Sequence, residues 1–412
     1  MSDGEAGSPP SPETKPVSGI ESYLVVFTLW LLVFSAASQT MILSPILPRI
    51  GSELDIPDAV LGTLVSVYSV MVGIFAILAG PVSDKIGRKR ILVLGCGTMT
   101  VALSLHGLVA GYYSFLLVRI FAGCAGGILS GAAVSYIGDY FPYERRGWAT
   151  GWVMSGSAFG QIFGIPFGIF MAARWGFRSP FYLFAATMAL TVLLLIVRIP
   201  QPDVSRSRQK LTVGNAARNY MEMLRRPEIA WAATAFFLMF LSISLFVIYL
   251  PTWLEREVGI TPNQMSLMFL FGGIANVLTG PNAGKLSDRI GRKLIVLLAS
   301  VGMSIVMLST VYVIGGPTSA YIFFFVSMVL VAMRISPFSA LLTALVSGER
   351  RGSFMSLTVA LGQVGFAIGG AIAGPLFAGV GYASNTVVAA ASILAMGLIV
   401  WFFVPEPEGD NA

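Results

Sequence analysis

The chain reads as an all-α membrane protein of twelve transmembrane helices arranged as two related halves, and three observations lead there. Of 412 residues, 56% are hydrophobic and only 11% charged, and the mean hydropathy is +0.80, well outside the usual mix of soluble domains. The apolar runs are about 20 residues or longer, enough to cross a hydrocarbon core roughly 30 Å thick as helices. They are also too many for one soluble core. Third, the second half of the chain echoes the first: Gly80-Pro-Val-Ser-Asp-Lys-Ile-Gly-Arg-Lys-Arg90 returns as Gly284-Lys-Leu-Ser-Asp-Arg-Ile-Gly-Arg-Lys-Leu294. Asp84 and Asp288 are 204 residues apart, Glu144-Arg-Arg-Gly147 recurs at 349–352, and Gly160-Gln161 recurs as Gly362-Gln363.

Taken in order, residues 1–20 are polar and Ser/Pro-rich with no positive n-region, which predicts a disordered cytosolic tail rather than a signal peptide. Spans are predicted at 23–47, 59–82, 91–110, 114–137, 149–173 and 181–198, forming a first unit over 21–198. Six more follow at 229–250, 264–284, 294–315, 320–343, 353–378 and 384–404, forming a second unit over 229–404. Between them, 199–228 is the longest polar segment and the joint between halves; 405–412 is a second short cytosolic tail. Within the joint, Val213, Ala216, Tyr220, Met221 and Leu224 recur at helical spacing, which fits a helix on the membrane surface or a solvated linker helix.

An even number of spans places both ends on one side. With that side inside, the inner segments hold 20 Lys and Arg and the outer ones four, Arg49, Arg174, Arg178 and Arg256. The bias predicts cytoplasmic termini in a plasma or inner membrane. The same distribution explains the formal charge of +6 without a nucleic-acid partner, because the cations fall in short loops rather than along one face. Cys96 and Cys124 both lie in apolar segments and His106 is the one histidine, so neither a disulfide framework nor a metal site is expected. Nothing resembles a phosphate-cradling nucleotide loop, and no nucleophile/base constellation appears, so the chain is not read as an enzyme. No cofactor is expected; the energy source would be an ion gradient, with protons the first choice.

Gly156, Gly160, Gly164 and Gly168 form a bare stripe along span five, on which another helix backbone can lie closely. With Pro166 beside it, the stripe suggests a packing hinge that moves. Gly123, Gly127 and Gly131 mark span four in the same way, read mainly as ordinary packing, and in span eleven the stripe is split between Gly365, Gly369 and Gly370, Gly374.

In the repeated loops, Asp84 and Asp288 end spans two and eight, where a carboxylate gains from a helix N-terminus. The repeat suggests cross-pairing: Asp84 with the start of span eleven near Ser353, and Asp288 with the start of span five near Trp148. Gly80, Gly87, Gly284 and Gly291 would supply tight turns and close approach, and Arg88 and Arg292 would hold the carboxylates. On this reading the loops latch one face shut; the alternative is that they only anchor the inner face.

These motifs together resemble the major facilitator superfamily over roughly residues 20–405. The loops 80–90 and 284–294 are similar to its signature and echo, and Leu116-Leu-Val-Arg119-Ile-Phe-Ala-Gly123 to its span-four arginine motif. The segment from Gly156 to Gly168, and Gly176-Phe-Arg178-Ser-Pro-Phe181 after it, resemble motifs of the drug:proton antiporter branch. The resemblance implies two pseudo-symmetric six-helix bundles around a central cavity lined by spans one, four, seven and ten, with inverted three-helix repeats and alternating access by rocking. One departure is that span one, from Tyr23 to Leu47, carries no Asp or Glu.

No carboxylate falls near the middle of any span, whereas Arg119 and Arg334 do fall inside. An arginine at a helix centre costs about 2.5–3.5 kcal/mol on the insertion scale, so it should face a cavity, a carbonyl or a substrate. Arg334, 15 residues before Glu349, is the first candidate for an anionic or carbonyl-bearing substrate, the alternative being that it holds broken backbone near Pro337. Arg119 would serve proton coupling, structure or substrate. Gln39, Thr40, Tyr68, Asn276 and Gln363 are polar at plausible depth, and Phe236, Phe237 and Phe240 would add an aromatic wall. His106 is read as a packing histidine. The expected function is a monomeric secondary transporter in the lipid bilayer, exporting a small amphipathic or anionic organic compound in exchange for protons. Uptake or exchange of an organic anion or sugar is the alternative within transport, and a receptor or sensor on a transporter scaffold the alternative outside it.

Overall fold

The computed structural model of the protein describes residues 19–202, 213–346 and 348–406; for 19, 80, 81, 84, 85, 213–217, 219 and 348–352 it describes the helix but not the side-chain surroundings. The expected tails at 1–18 and 407–412 and the middle of the joint lie outside the described residues. Among the described residues every regular element is helical. Span one is Gly19–Met41, continued past Ile42 as Leu43–Leu54; span two is Asp58–Ile86, span three Arg88–Leu105, and span four Tyr112–Leu129 with Ala132–Tyr140. Span five runs as Tyr143–Phe159, a π-helical turn Gly160–Gly164 and Ile165–Trp175, and span six is Ser179–Val197. Span seven is Pro227–Val247 with Leu250–Arg256, followed by Pro262–Ile290, Arg292–Val313, Pro317–Ala344, Gly348–Val380 and Tyr382–Phe403 as spans eight to twelve.

Eleven of these helices are long and apolar enough to cross a membrane. Span eight falls short in apolarity alone. It has 29 residues, as does its counterpart span two, or about 43 Å of helix. Gln264, Asn276, Asn282 and Pro281 dilute its apolar character. Span eight lies against spans five and ten, so Asn276 meets protein across a seam, while Asn282 stays exposed and bonds back to Leu278 O of its own helix.

The repeat seen in the sequence is a repeat of backbone. Gly87 and Gly291 both leave their helices at φ near +100°, a region in which only glycine is unstrained. Spans four and ten both open after a glycine, where Ser114 accepts from the Gly111 N–H and Ser319 from the Gly316 N–H, each at 3.2 Å. The chain after span six returns to span three, where Gln201 Oε1 accepts from the Lys89 N–H at 3.1 Å. After span twelve, Glu406 Oε1 likewise accepts from the Arg292 N–H at 2.5 Å. Gly80 and Gly284, expected as turns, instead lie inside helices, since the chain reverses only after Gly87 and Gly291.

Helix packing falls into two groups. Span one packs on five and six, two on four, and three on four and six; seven packs on eleven and twelve, eight on ten, and nine on ten and twelve. Three seams join the groups: span two with eleven, five with eight, and Leu43–Leu54 with Leu250–Arg256.

The glycines sort by these seams. A Cβ at Gly156 would lie 2.6 Å from Trp30 O, and Cβ atoms at Gly160 and Gly164 would strike Ser38 Oγ at 2.9 and 2.1 Å. The span-five stripe is therefore buried on span one inside the first half, so the close backbone approach read from the sequence is between these two spans. What marks a hinge there is the π turn itself, just before Pro166, because a wide turn ahead of a missing N–H relaxes the helical ladder. Gly123 and Gly127 pack on span two as expected, but Gly131 has open space around it and φ of +73°. It breaks span four in two instead of packing it. In span eleven, Gly365 and Gly369 face span seven, while Gly370 and Gly374 face span two. The split stripe serves one partner in each half.

The joint forms a helix, Val213–Leu224, packed on spans seven and eleven. Its buried residue is Met223, whereas Met221, read as part of the apolar face, is 61% exposed.

Candidate functional site

Arg119 is fully buried on span four. Its Nε donates to Leu64 O at 3.1 Å, and its guanidinium lies 4.1 Å above the Tyr68 ring, a cation–π contact of the kind that stabilises a desolvated cation. Both terminal nitrogens have no hydrogen-bond partner. The Tyr68 hydroxyl in turn accepts from Gln39 Nε2 at 2.8 Å and lies 3.0 Å from Thr40 Oγ1. Gln39 is also fully buried, and its Oε1 has no partner. Spans one, two and four thus bring Gln39, Thr40, Tyr68 and Arg119 into one polar cluster, with donors and an acceptor left open.

Arg334 is fully buried on span ten, and all three guanidinium nitrogens have no partner. It makes no hydrogen bond to the backbone freed by Pro337, so the backbone-repair alternative is not what the structure shows. One turn on, Phe338 lies 6.2 Å from Phe236, which stacks on Phe240 at 5.0 Å. Of the expected aromatic wall, Phe236 and Phe240 stack, joined by Phe338 and Phe366, whereas Phe237 lies against Gly365 of span eleven. Open donors on a buried cation are costly, and the two terminal nitrogens of Arg119 and all three nitrogens of Arg334 mark the places where an anionic group would be most stabilised.

Asn276 and Gln363 are not part of either arginine cluster. Asn276 Nδ2 donates to Gln161 Oε1 at 3.1 Å across the seam of spans eight and five, and Gln363 faces Gly73 across the seam of spans eleven and two. His106 is held as a packing ring, stacked 4.0 Å from Phe181 and edge-on to Phe115, with Nδ1 2.9 Å from Ala102 O.

The seams close over the face opposite the chain ends, called here the far face. Ser44 Oγ donates to Val247 O at 2.6 Å. The Tyr249 hydroxyl accepts from the Gly62 N–H at 2.8 Å and donates to Asp58 O at 2.5 Å. Arg256 pairs with the Asp58 carboxylate, and Ser266 Oγ donates to Pro166 O at 2.9 Å. Span eight meets the π turn and the far half of span five. Closest of all, a Cβ at Gly62 would lie 2.2 Å from Gly370 O.

On the end face, Asp288 accepts from Arg292 at 2.9 Å and is 60% exposed. Trp148 packs edge-on to Tyr23, 5.5 Å between ring centroids. The expected contact of Asp288 with the start of span five is not formed in this conformer, whose seal is on the other face. The side-chain surroundings of Gly80 and Asp84 lie outside the described residues. Arg88 reaches Asp139 on span four at 2.5 Å and Ser83 Oγ at 2.9 Å. In the second half the position corresponding to Asp139 is Ala344 or Thr343, so Arg292 folds back onto Asp288 instead.

Sequence reading missed Asp58, Tyr249, Arg256, Gln161 and Asp139. Gln161 carried a signal, the repeated Gly-Gln pair. Asp58 begins span two and Arg256 ends span seven on the same face, but a separation of 198 residues leaves no local trace of their pairing.

Comparison with known proteins bears on the whole arrangement. Residues 29–257 and 234–412 match the family described as Major Facilitator Superfamily. The chain is 25% identical over 66% of its length to multidrug resistance protein MdtG of Klebsiella pneumoniae (strain 342), covering 67% of that protein. It is also 25% identical over 90% of its length to the cis,cis-muconate transport protein of Acinetobacter baylyi (strain ATCC 33305 / BD413 / ADP1), covering 92% of it. Among solved structures, that of a D-xylose-proton symporter superposes with a TM-score of 0.75 at 19% identity, over 96% of this chain and 100% of that one.

Proposed function

The chain belongs to the major facilitator superfamily, and on that premise we propose that it exports a small anionic or amphipathic organic compound by alternating access, in exchange for protons. It is a multi-span membrane transporter acting on a small molecule. The observation that carries the substrate class is the pair of fully buried arginines, with two open nitrogens on Arg119 and three on Arg334. Such groups favour a carboxylate or another anion, held by charge-assisted hydrogen bonds beside the aromatic wall of Phe236, Phe240 and Phe338. Export is supported by the similarity to a multidrug resistance protein and by the span-five motif. Tyr68, Gln39 and Thr40 would orient the substrate's polar end.

In this reading the protein is a monomer in the inner membrane with both ends cytoplasmic. Its far-face seal is the inward-facing state. The switch back is made by the loops of Asp84, Gly87 and Arg88 and of Asp288, Gly291 and Arg292 forming contacts on the inner rim. Gly80 and Gly284 allow close approach there, and Gly156, Gly160, Gly164, Pro166 and Gly168 keep span five tied to span one while its π turn flexes.

A second reading, uptake of an organic anion, is favoured by two observations. Among the described residues no carboxylate lies at mid-span to carry an exchanged proton, and a relative over nine-tenths of the chain is a muconate transport protein. Proteoliposomes of known orientation separate the two. Export in exchange for protons predicts that an inside-acid gradient drives an organic anion into vesicles that hold the protein inside-out; uptake predicts inward flux through right-side-out protein, with no need of an inside-acid gradient. Arg334→Ala that transports every tested anion at the original rate would remove the substrate site.

A further inference from the structure

The internal repeat allows a comparison of the protein with itself at the start of spans three and nine, and the two copies differ in charge. In the first, Lys89, Arg90, Val93, Leu94 and Gln201 line a groove of ≈ 480 Å³, within the range of ligand-sized clefts. Lys89 spends one of its three ammonium hydrogens on Ile196 O at 3.2 Å. Arg90 is exposed, and among the described residues it forms no ion pair. In the second copy the lysine is kept as Lys293, set 5.8 Å from the Trp401 ring, but Arg90 is replaced by Leu294 and Gln201 by Glu406.

Gln201 and Glu406 do the same structural work, since each accepts from a backbone N–H at the start of an earlier helix, span three or span nine. Glutamate is the better residue for that task, because its charge complements the positive helix start. A neutral glutamine in the first half leaves two cations and the helix N-terminus without a carboxylate among the groove's own residues. Packing requires no such excess: the second half is built the same way with one lysine and one glutamate.

The apolar part of the groove points to a lipid. Leu94 and, two turns on, Val101 are both 52% exposed, a strip that continues along span three on the side away from its neighbours. The second half has the same strip in Leu298 and Ile305, so only the charge at headgroup level distinguishes the copies. We propose that an anionic phospholipid docks here, its phosphate between Lys89 and Arg90 and an acyl chain along Val93, Leu94 and Val101, and that the pseudo-equivalent position at span nine does not bind one.

The test uses the full chain in a neutral detergent, titrated with phosphatidylglycerol, phosphatidylcholine or inorganic phosphate and read by native mass spectrometry and thermal midpoint. Phosphatidylglycerol is expected to be retained as a defined adduct that raises the midpoint, with phosphatidylcholine and inorganic phosphate giving neither. Each removed cation should weaken retention about fivefold, so Arg90→Leu and, independently, Gln201→Glu should each reduce the adduct. The reciprocal variant Leu294→Arg/Glu406→Gln should add a second bound lipid. Unchanged phosphatidylglycerol retention in both Arg90→Leu and Gln201→Glu would overturn the proposal. So would a midpoint shift reproduced by inorganic phosphate, which would make the groove a site for the free anion.

Discussion

The hydroxyl of Tyr249 accepts from the N–H of Gly62 and donates to the C=O of Asp58, two groups one turn apart at the start of span two. A side chain of the second half is thereby bonded to the backbone of the first. Tyr249→Phe removes both bonds and with them this link between halves. At about 1 kcal/mol for a net hydrogen bond, the far-face-open population should rise roughly fivefold. Spin-label distances across that face in bilayers check this; an unchanged distribution would show that the hydroxyl does not hold the seal.

Gly62 is the steric half of the same contact. Because a Cβ there would lie 2.2 Å from Gly370 O, Gly62→Ala should wedge spans two and eleven apart and block sealing of the far face. Gly97→Ala, with no atom within 4 Å, should leave transport within about twofold of wild type, and is expected to gain slightly in stability from lost unfolded-state entropy. Equal transport by the two variants would contradict the packing.

The buried arginines give a prediction of opposite signs. Arg334→Met removes a fully buried charge with three unpartnered nitrogens, so the substrate-free protein should unfold at a higher temperature, by a margin on the order of 1 kcal/mol or more. Transport of an anionic substrate should fall to background. A lower midpoint would mean that the guanidinium is structural.

Arg88 and Arg292 have the same place in the repeat but different bonds. Arg88 reaches another span, and its pair with Asp139 is largely covered, at 17% and 22% side-chain exposure; Arg292 pairs with Asp288 one turn away in the open. Asp139→Asn should therefore lower the thermal midpoint measurably, while Asp288→Asn costs about 0.5 kcal/mol or less. If Asp288→Asn is the more damaging of the two to stability, the ranking from burial is wrong.

How much of this was legible in the chain follows from the range of each interaction. The spans, the repeat and the separate candidates Gln39, Tyr68 and Arg119 could be read because they depend on composition, local motifs and the rule that polar groups in a membrane need partners; that these three meet, and Asn276 and Gln363 do not join them, could not. Span eight lay at the edge of legibility, because Gln264, Asn276, Asn282 and Pro281 dilute its apolar run. The glycine stripe of span five showed that some backbone lies close, but not that it is span one's. Nor does sequence spacing reveal that Met223 rather than Met221 turns inward, since both fit a helical repeat and only the position of spans seven and eleven chooses. The far-face contacts of Asp58, Tyr249 and Arg256 link positions nearly two hundred residues apart, and exist only once both halves are folded and docked.

Gln201 on Lys89 and Glu406 on Arg292 mean that each group of six helices is fastened by its own trailing segment. A polypeptide divided between residues 202 and 213 keeps both fastenings, so two separately encoded fragments should reassemble into a working carrier when made together. Shortening the chain to end at 405 would instead release span nine, and that small deletion should do more harm than the cut through the middle.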